Sequence, residues 1–317
     1  MRGKKKISII VPVYNEEGNL EKFFTELLKV LNTLSNFEWE VVFVDDGSND
    51  NSWEKIKSLS RSSSIPVKGL RFSRNFGKEI ALTAGIENIY ADAAICIDAD
   101  LQHPPQLIPE LIKKWNCGAD IVVGVRKNAE DFSLLRRLGS RLFYWFMRRY
   151  SSTNLCPGAT DYRLLDKKVI EVLKTFRERT RLFRGLIDWM GFKKEFVYFN
   201  APSRGNGSSS FQLRTLLNLA INSFTSFSLL PLRFTGYLGV FIVLSSFLLL
   251  LFMLMTKFFC GWTYTPLAFM MVINTFLIGI VLCALGFIAL YIGHIHTEVI
   301  GRPLYIIKES LQSNSSS

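Results

Sequence analysis

The stretch Ala94-Ile95-Cys96-Ile97-Asp98-Ala99-Asp100-Leu101-Gln102-His103-Pro104-Pro105 drives an apolar run into two carboxylates one residue apart and stops it at two prolines. Its first half reads as a buried strand over Ala93 to Ile97, and its prolines suit the start of a helix. In an extended segment residues i and i+2 point to the same side, so Asp98 and Asp100 are expected to converge on one point. Two adjacent carboxylates repel unless a proton or a cation lies between them. Hard oxygen ligands of this kind suit Mg²⁺ or Mn²⁺, which keeps waters and leans on the phosphates of a substrate. The pair therefore predicts a metal-bound diphosphate.

Outward from this strand the pattern repeats. Ile7 to Val13, Val41 to Val44, Val67 to Phe72 and Asp120 to Val125 are each β-rich and each followed by a polar turn and a helical stretch. That alternation predicts an α/β fold with a mostly parallel sheet. Near-continuous apolar strands mean that both faces of the sheet are covered. Ligands of such sheets bind beyond the carboxyl ends of the strands, and there the polar residues gather: Tyr14-Asn15-Glu16-Glu17, Asp45-Asp46-Gly47-Ser48, Ser73-Arg74-Asn75-Phe76-Gly77-Lys78, Asp98-Ala99-Asp100 and Arg126-Lys127. Singly, each cluster is explained equally well by helix capping or turn chemistry. Their joint appearance at one edge points to a site.

The chain has 317 residues and a formal net charge of +11, which favours anionic partners: nucleic acid, an anionic membrane face or phosphorylated substrates. Five cysteines, at 96, 117, 156, 260 and 283, form no CxxC pair, so neither zinc nor a disulfide framework is indicated and a reducing compartment fits best. The basic N-terminus leads into a strand and shows no signal peptide. Between Arg233 and Lys257 lie 23 uncharged residues, and Phe258 to Thr297 contains no Asp, Glu, Lys or Arg. About 20 apolar residues cross a hydrocarbon core. Two membrane spans are therefore expected, at about 235 to 256 and 266 to 292, with Gly261, Thr263 and Pro266 at the hairpin. The expected division is a catalytic domain over 1–210, interfacial helices over 211–232, the spans within 233–300 and a tail over 301–317. Basic flanks place the domain and both termini in the cytoplasm, at a cell (inner) membrane. The segment Leu134 to Tyr150 interleaves arginines with large apolar groups, as an interfacial or a packed amphipathic helix does.

Val11-Pro12-Val13-Tyr14-Asn15-Glu16, Val44-Asp45-Asp46-Gly47-Ser48, Phe72-Ser73-Arg74-Asn75-Phe76-Gly77-Lys78-Glu79 and Asp98-Ala99-Asp100-Leu101-Gln102 together resemble a GT-A (Rossmann-like) glycosyltransferase of family 2. Within that family the sequence is similar to the polyprenyl-phosphate glycosyltransferases, which include dolichyl-phosphate mannose synthase and the bactoprenol glucosyl transferases. Asp161-Tyr162-Arg163-Leu164, Ser226-Phe227-Ser228, Pro231-Leu232 and Arg302-Pro303-Leu304-Tyr305 extend the similarity, which runs from about Ile7 to Lys308. By this resemblance the activity is inverting transfer of a sugar, UDP-glucose being the favoured donor, to a polyprenyl (undecaprenyl) phosphate. Pro12, Tyr14, Glu16, one or both of Asp45 and Asp46, Lys78 and Asp98 would hold the nucleotide. Asp98, Asp100 and Gln102 would surround Mg²⁺ or Mn²⁺, and Asp100 and Asp161 would be the catalytic acids. Arg126, Arg137, Arg141 and Arg204 would meet the acceptor phosphate. The family also implies a homo-oligomer, a tetramer.

A lipid monophosphate with a second pKa near 6 is already a nucleophile at neutral pH, so Asp161 is open to two roles, base or orienting group. His103-Pro104-Pro105-Gln106 departs from the Asp-Pro-Pro-Glu of bacterial relatives toward the dolichyl-phosphate mannose branch, which keeps GDP-mannose as a second donor. A processive polysaccharide synthase would need a Gln-x-x-Arg-Trp motif, which the chain lacks. An inactive membrane scaffold is countered by the intact acids. Nucleic-acid binding would explain the charge, but the basic residues cluster beside an apolar segment and no nucleic-acid motif is present.

Overall fold

The computed structural model describes residues 3–127, 158–176, 178, 183–200 and 301–312, together with scattered positions between 255 and 300. The strands are β1 (Lys5–Val13), β2 (Phe37–Asp45), β3 (Val67–Phe72), β4 (Ala93–Cys96), β5 (Ile121–Arg126), β6 (Ala159–Asp166), β7 (Lys194–Phe199) and β8 (Ile307–Leu311). The helices are α1 (Leu20–Asn32), α2 (Ser52–Ser62), α3 (Lys78–Glu87), α4 (Ile108–Asn116), α5 (Lys167–Thr175) and α6 (Phe183–Trp189). One sheet holds all eight strands in the order β7-β5-β6-β4-β1-β2-β3-β8. β1 pairs in parallel with β2 and β4, β2 with β3, and β5 with β7, whereas β6 and β8 run against their neighbours.

Ile7, Ile9 and Val11 of β1, Val41 and Phe43 of β2 and Ile95 of β4 are fully buried, as expected of strands covered on both faces. α1 and α4 each bury one apolar stripe, Leu20, Phe23, Phe24, Leu27 and Leu31 on the first and Ile108, Leu111, Ile112 and Trp115 on the second. α3 differs. Its Ala81 to Ile86 run is buried, and Gly85 lies so close to Ile10 that an added Cβ would fall 2.3 Å from Ile10 Cγ2.

Two features depart from the sequence reading. β4 ends at Cys96 and the chain turns through Asp98 to Gln102, with Leu101 at a φ of 60°, so Asp98 and Asp100 do not lie on an extended segment. The turn is closed locally, because Gln102 N donates to Asp100 Oδ1 at 3.0 Å and competes with extended pairing. The residues after Gly301 were set apart as a tail, but Ile307 to Leu311 instead form the edge strand β8, antiparallel to β3. The chain divides into two compact units, 1–149 with 153–210 and 302–317, and 150–152 with 211–301.

Of the expected spans, the first lies outside the described residues except at Met255, and the second is described only at scattered positions. Among those residues, no helix is long and apolar enough to cross a membrane. The described positions from Met255 to Ile288 are helical, with Phe258 83%, Phe259 81% and Met270 70% exposed.

Gly47 sets the sharpest steric demand near the strand ends. Its φ is 69°, and a Cβ there would lie 2.4 Å from the backbone carbonyl carbon of Arg74. Gly47→Ala is expected to destabilise the domain by about 1–3 kcal/mol. Gly18→Ala, where a Cβ meets nothing within 4 Å, should stay within about 0.5 kcal/mol. Thermal unfolding of the two variants beside the parent checks the contrast, and equal effects would refute it.

Candidate active site

The carboxyl ends of β1 and β2 are laced together by their loops. Asn15, at a φ of 54°, donates its N–H to Ser48 Oγ at 2.9 Å, and its side-chain oxygen accepts from Asn49 N at 2.9 Å. Glu16 N donates to Ser52 Oγ at 2.9 Å. These bonds set Tyr14, 43% exposed, and Glu16 at the edge of the sheet. Pro12 lies within β1 opposite Val44.

The two acids that end β2 have different partners. Asp46 accepts from Phe76 N at 2.7 Å and Gly77 N at 2.9 Å, so its carboxylate clamps the loop that opens α3. Asp45 is fully buried. Its Oδ1 accepts from Ser48 N at 3.0 Å, while its Oδ2 accepts no hydrogen bond from the described residues and lies 3.4 Å from Arg71 Nε. Burial pushes both carboxyls above their ordinary range. Ser48 and Arg71 oppose this at Asp45, and the Phe76 and Gly77 amides oppose it at Asp46.

By clamping that loop, Asp46 places Lys78 at the first position of α3. Lys78 Nζ lies 2.7 Å from Asp98 Oδ1 and 3.0 Å from Asp161 Oδ2. The β4–β6 pairing ends at Cys96 and Arg163, so Asp161 on β6 lies beside the turn after β4 that carries Asp98. Arg184, at the start of α6, reaches Asp161 Oδ1 with its Nε at 3.4 Å. Burial alone would raise the Asp161 carboxyl, but Lys78, Arg184 and Arg163 overcome it and hold the group at about 2. Burial works against the Lys78 ammonium as well, yet Asp98 and Asp161 hold its pKa above the usual lysine range. Glu79 is pushed up by burial and by Asp161, and it accepts the Phe183 N–H at 2.7 Å, which anchors the start of α6.

His103 Nδ1 lies 3.3 Å from Asp98 Oδ2, and its ring stacks on Tyr162 at 5.3 Å. Burial lowers its pKa against the pull of Asp98. Gln102 Oε1 accepts from Arg126 Nη2 at 2.8 Å, which leaves the buried Arg126 Nε without a hydrogen bond among the described residues.

Hard oxygen donors are present for a divalent cation: the Asp98 and Asp100 carboxylates, the Gln102 amide oxygen and, next to them, Glu16. The Glu16 carboxyl is raised first by burial and then, against the Asn19 hydrogen bond, by the charges of Asp100 and Asp98. Negative charge is thus in excess at this corner, and a cation would relieve it. Among the described residues no three His, Cys, Asp or Glu side chains enclose a metal by themselves. Two carboxylates and an amide oxygen suit an ion that completes its shell with water and substrate phosphate.

The structure gathers Lys78, Asp98, Asp161 and Arg184 directly, with Asp100, Gln102, Glu16 and Arg126 around them. It places Asp46 as a loop clamp, and it sets Lys78 between two acids. Arg137, Arg141 and Arg204 lie outside the described residues. Arg184, Arg71 and Glu79 were not identified from sequence. Arg184 sits in no motif, Glu79 closes the Phe72 to Glu79 motif without a role of its own, and Arg71 is one of two charged residues, with Lys68, on β3, which no motif marks out.

The sequence matches Glycosyl transferase family 2 over residues 8–173. An uncharacterized glycosyltransferase of Synechocystis sp. is 39% identical over 304 residues, covering 96% of this chain and 95% of its own. The SfII prophage-derived bactoprenol glucosyl transferase of Shigella flexneri is 37% identical over 309 residues, covering 98% of this chain and 99% of its own. Among solved structures, the mannosyltransferase PcManGT of Pyrobaculum calidifontis, in complex with GDP-Man and Mn²⁺, is 15% identical with a TM-score of 0.44, covering 89% of this chain and 87% of its own. With a family match over more than half its length and relatives that align end to end, the chain belongs to glycosyl transferase family 2.

Proposed function

We propose that the protein transfers a sugar, with inversion, from a nucleotide-sugar, UDP-glucose in the favoured reading, to a polyprenyl phosphate. The observation that carries this is the acid pair Asp98 and Asp161, bridged by Lys78 where parallel strands end. Near full-length similarity to a bactoprenol glucosyl transferase supports the acceptor class. The apolar run within 233–300 supports a membrane location for an enzyme with a lipid substrate, with the catalytic domain on the cytoplasmic side.

In this reading a phosphate oxygen of the acceptor forms a bond to the anomeric carbon as the bond from that carbon to the donor diphosphate breaks, and the electron pair leaves with the nucleoside diphosphate. The acceptor is largely a dianion at neutral pH and carries no proton that must be removed. Asp161, held at about 2, is a poor base and suits an orienting role, keeping Lys78 and Arg184 in place. Those two cations and Arg126 offset the repulsion between two phosphorylated substrates. Asp98, Asp100 and Gln102 would hold Mg²⁺ or Mn²⁺, which when bound supplies positive charge to the departing diphosphate.

Three measurements test this reading. Purified protein given undecaprenyl phosphate, Mg²⁺ or Mn²⁺ and a panel of radiolabelled nucleotide-sugars should carry label from UDP-glucose into the lipid phase. Label from GDP-mannose alone would instead establish the mannose synthase reading, and no label from any donor would overturn the function. EDTA should abolish transfer and Mn²⁺ restore it, while Asp100→Ala should keep its circular dichroism spectrum and lose activity. Full turnover in EDTA would sink the metal's role.

The third measurement is a pH profile. Because the Asp161 carboxyl lies far below its usual value, it is ionised throughout the range from pH 5 to 8. Its protonation occurs only as the pH falls toward about 2. The rate should therefore rise with ionisation of the acceptor near pH of about 6. Asp161→Asn should lower the rate without moving that limb. A loss on the order of a hundredfold that alkali restores would make Asp161 a general base.

A further inference from the structure

Asp45, Arg71 and Glu309 stand in one row across three neighbouring strands. Asp45 of β2 is the cross-strand partner of Arg71 of β3, and Arg71 is the cross-strand partner of Glu309 of β8. Directly opposed residues share a face of the sheet, and opposite charges there attract. The contacts follow the register: Arg71 Nη1 donates to Glu309 Oε1 at 3.0 Å, and Arg71 Nε lies 3.4 Å from Asp45 Oδ2. Trp53 of α2 covers the row. Its Nε1 donates to Glu309 Oε2 at 2.9 Å, and its ring lies 5.9 Å from the Arg71 guanidinium carbon.

We propose that Glu309, on the C-terminal edge strand, is a positioning residue for donor binding, acting through Arg71 on the Asp45 carboxylate. The proposal rests on the reading above in which Asp45 helps hold the nucleotide. Asp45 Oδ2 is buried and accepts no hydrogen bond from the described residues, an arrangement that costs free energy unless something uses it. A base or ribose donor would satisfy that oxygen. The Arg71 charge favours the ionised, accepting form that burial opposes. Arg71 is 23% exposed in its side chain and Glu309 38%, so without the Glu309 anchor the guanidinium is free to turn outward. The strand that carries Glu309 follows the apolar run of 233–300 in sequence. A residue far beyond the catalytic motifs thus completes the donor site.

Strand docking and donor positioning are separable. Tyr305 also ties the C-terminal segment down, donating from its hydroxyl to Glu87 Oε2 at 2.8 Å and stacking on Phe72 at 5.1 Å, two contacts that do not involve Arg71 or Asp45. The test measures the affinity of the full-length protein for UDP and for GDP by calorimetry, alongside its melting temperature and its transfer kinetics. Glu309→Gln keeps an acceptor for Trp53 and loses the charge that holds Arg71. It should weaken nucleotide binding about tenfold and raise the donor KM by a similar factor, with kcat little changed. Arg71→Gln should do the same, and the double variant should be no worse than either single one. Tyr305→Phe should lower the melting temperature and leave nucleotide affinity as in the parent. Unchanged affinity in Glu309→Gln, or an equal loss in Tyr305→Phe, overturns the positioning role and leaves the donor reading standing. A parent that binds neither nucleotide overturns both.

Discussion

The Lys78 ammonium between Asp98 and Asp161 is the contact on which the active end of this sheet depends. It joins three segments distant in sequence: the start of α3, the turn after β4 and the antiparallel strand β6. Without a cation, the carboxylates that the turn after β4 and strand β6 bring together would repel. With Lys78 and Arg184 beside it, Asp161 stays ionised, whereas burial and the nearby Asp161 charge push the Glu79 carboxyl upward. Such a partly exposed charge cluster is a poor source of stability, since solvent screens the Lys78 end and desolvation of the acids offsets the attraction. Its worth lies in fixing the direction of charged groups toward anionic substrates.

Holding Lys78 in place takes a second tier of interactions. The Asp46 carboxylate accepts two successive backbone amides just ahead of α3, and Gly47 lets the β2 loop pass against the Arg74 backbone at a distance no side chain tolerates. The motif Asp45-Asp46-Gly47-Ser48 thus divides its labour. One acid braces a neighbouring loop, the next residue removes a steric block, and the other acid keeps an oxygen without a hydrogen bond from the described residues. A resemblance that assigns one or both acids to the nucleotide does not separate these tasks.

β8 shows how far a site extends beyond its motifs. Arg71 lies between Asp45 on one side and Glu309 on the other, so the charge row crosses from an inner strand to the edge strand contributed by the end of the chain. Covering β3 also pairs an edge that would otherwise expose backbone donors and acceptors.

Much of this was legible in the sequence, for local reasons. Apolar strands alternating with amphipathic helices dictate an α/β sheet, because each pattern can be buried in only one kind of layer, and Asp98, Asp100, Lys78 and Glu16 stood out as polar groups at strand ends, whereas Asp161 came only with the family resemblance. What no local pattern contains is distance across strands. The pairing of β6 beside β4 brought Asp161 near the turn that holds Asp98, and the turn after Cys96 took both Asp98 and Asp100 off the strand. The return of Ile307 to Leu311 decided which side chain meets Arg71. Periodicity reports which face of an element is buried. Which charges then meet is settled by strand order and register, which long-range packing alone selects.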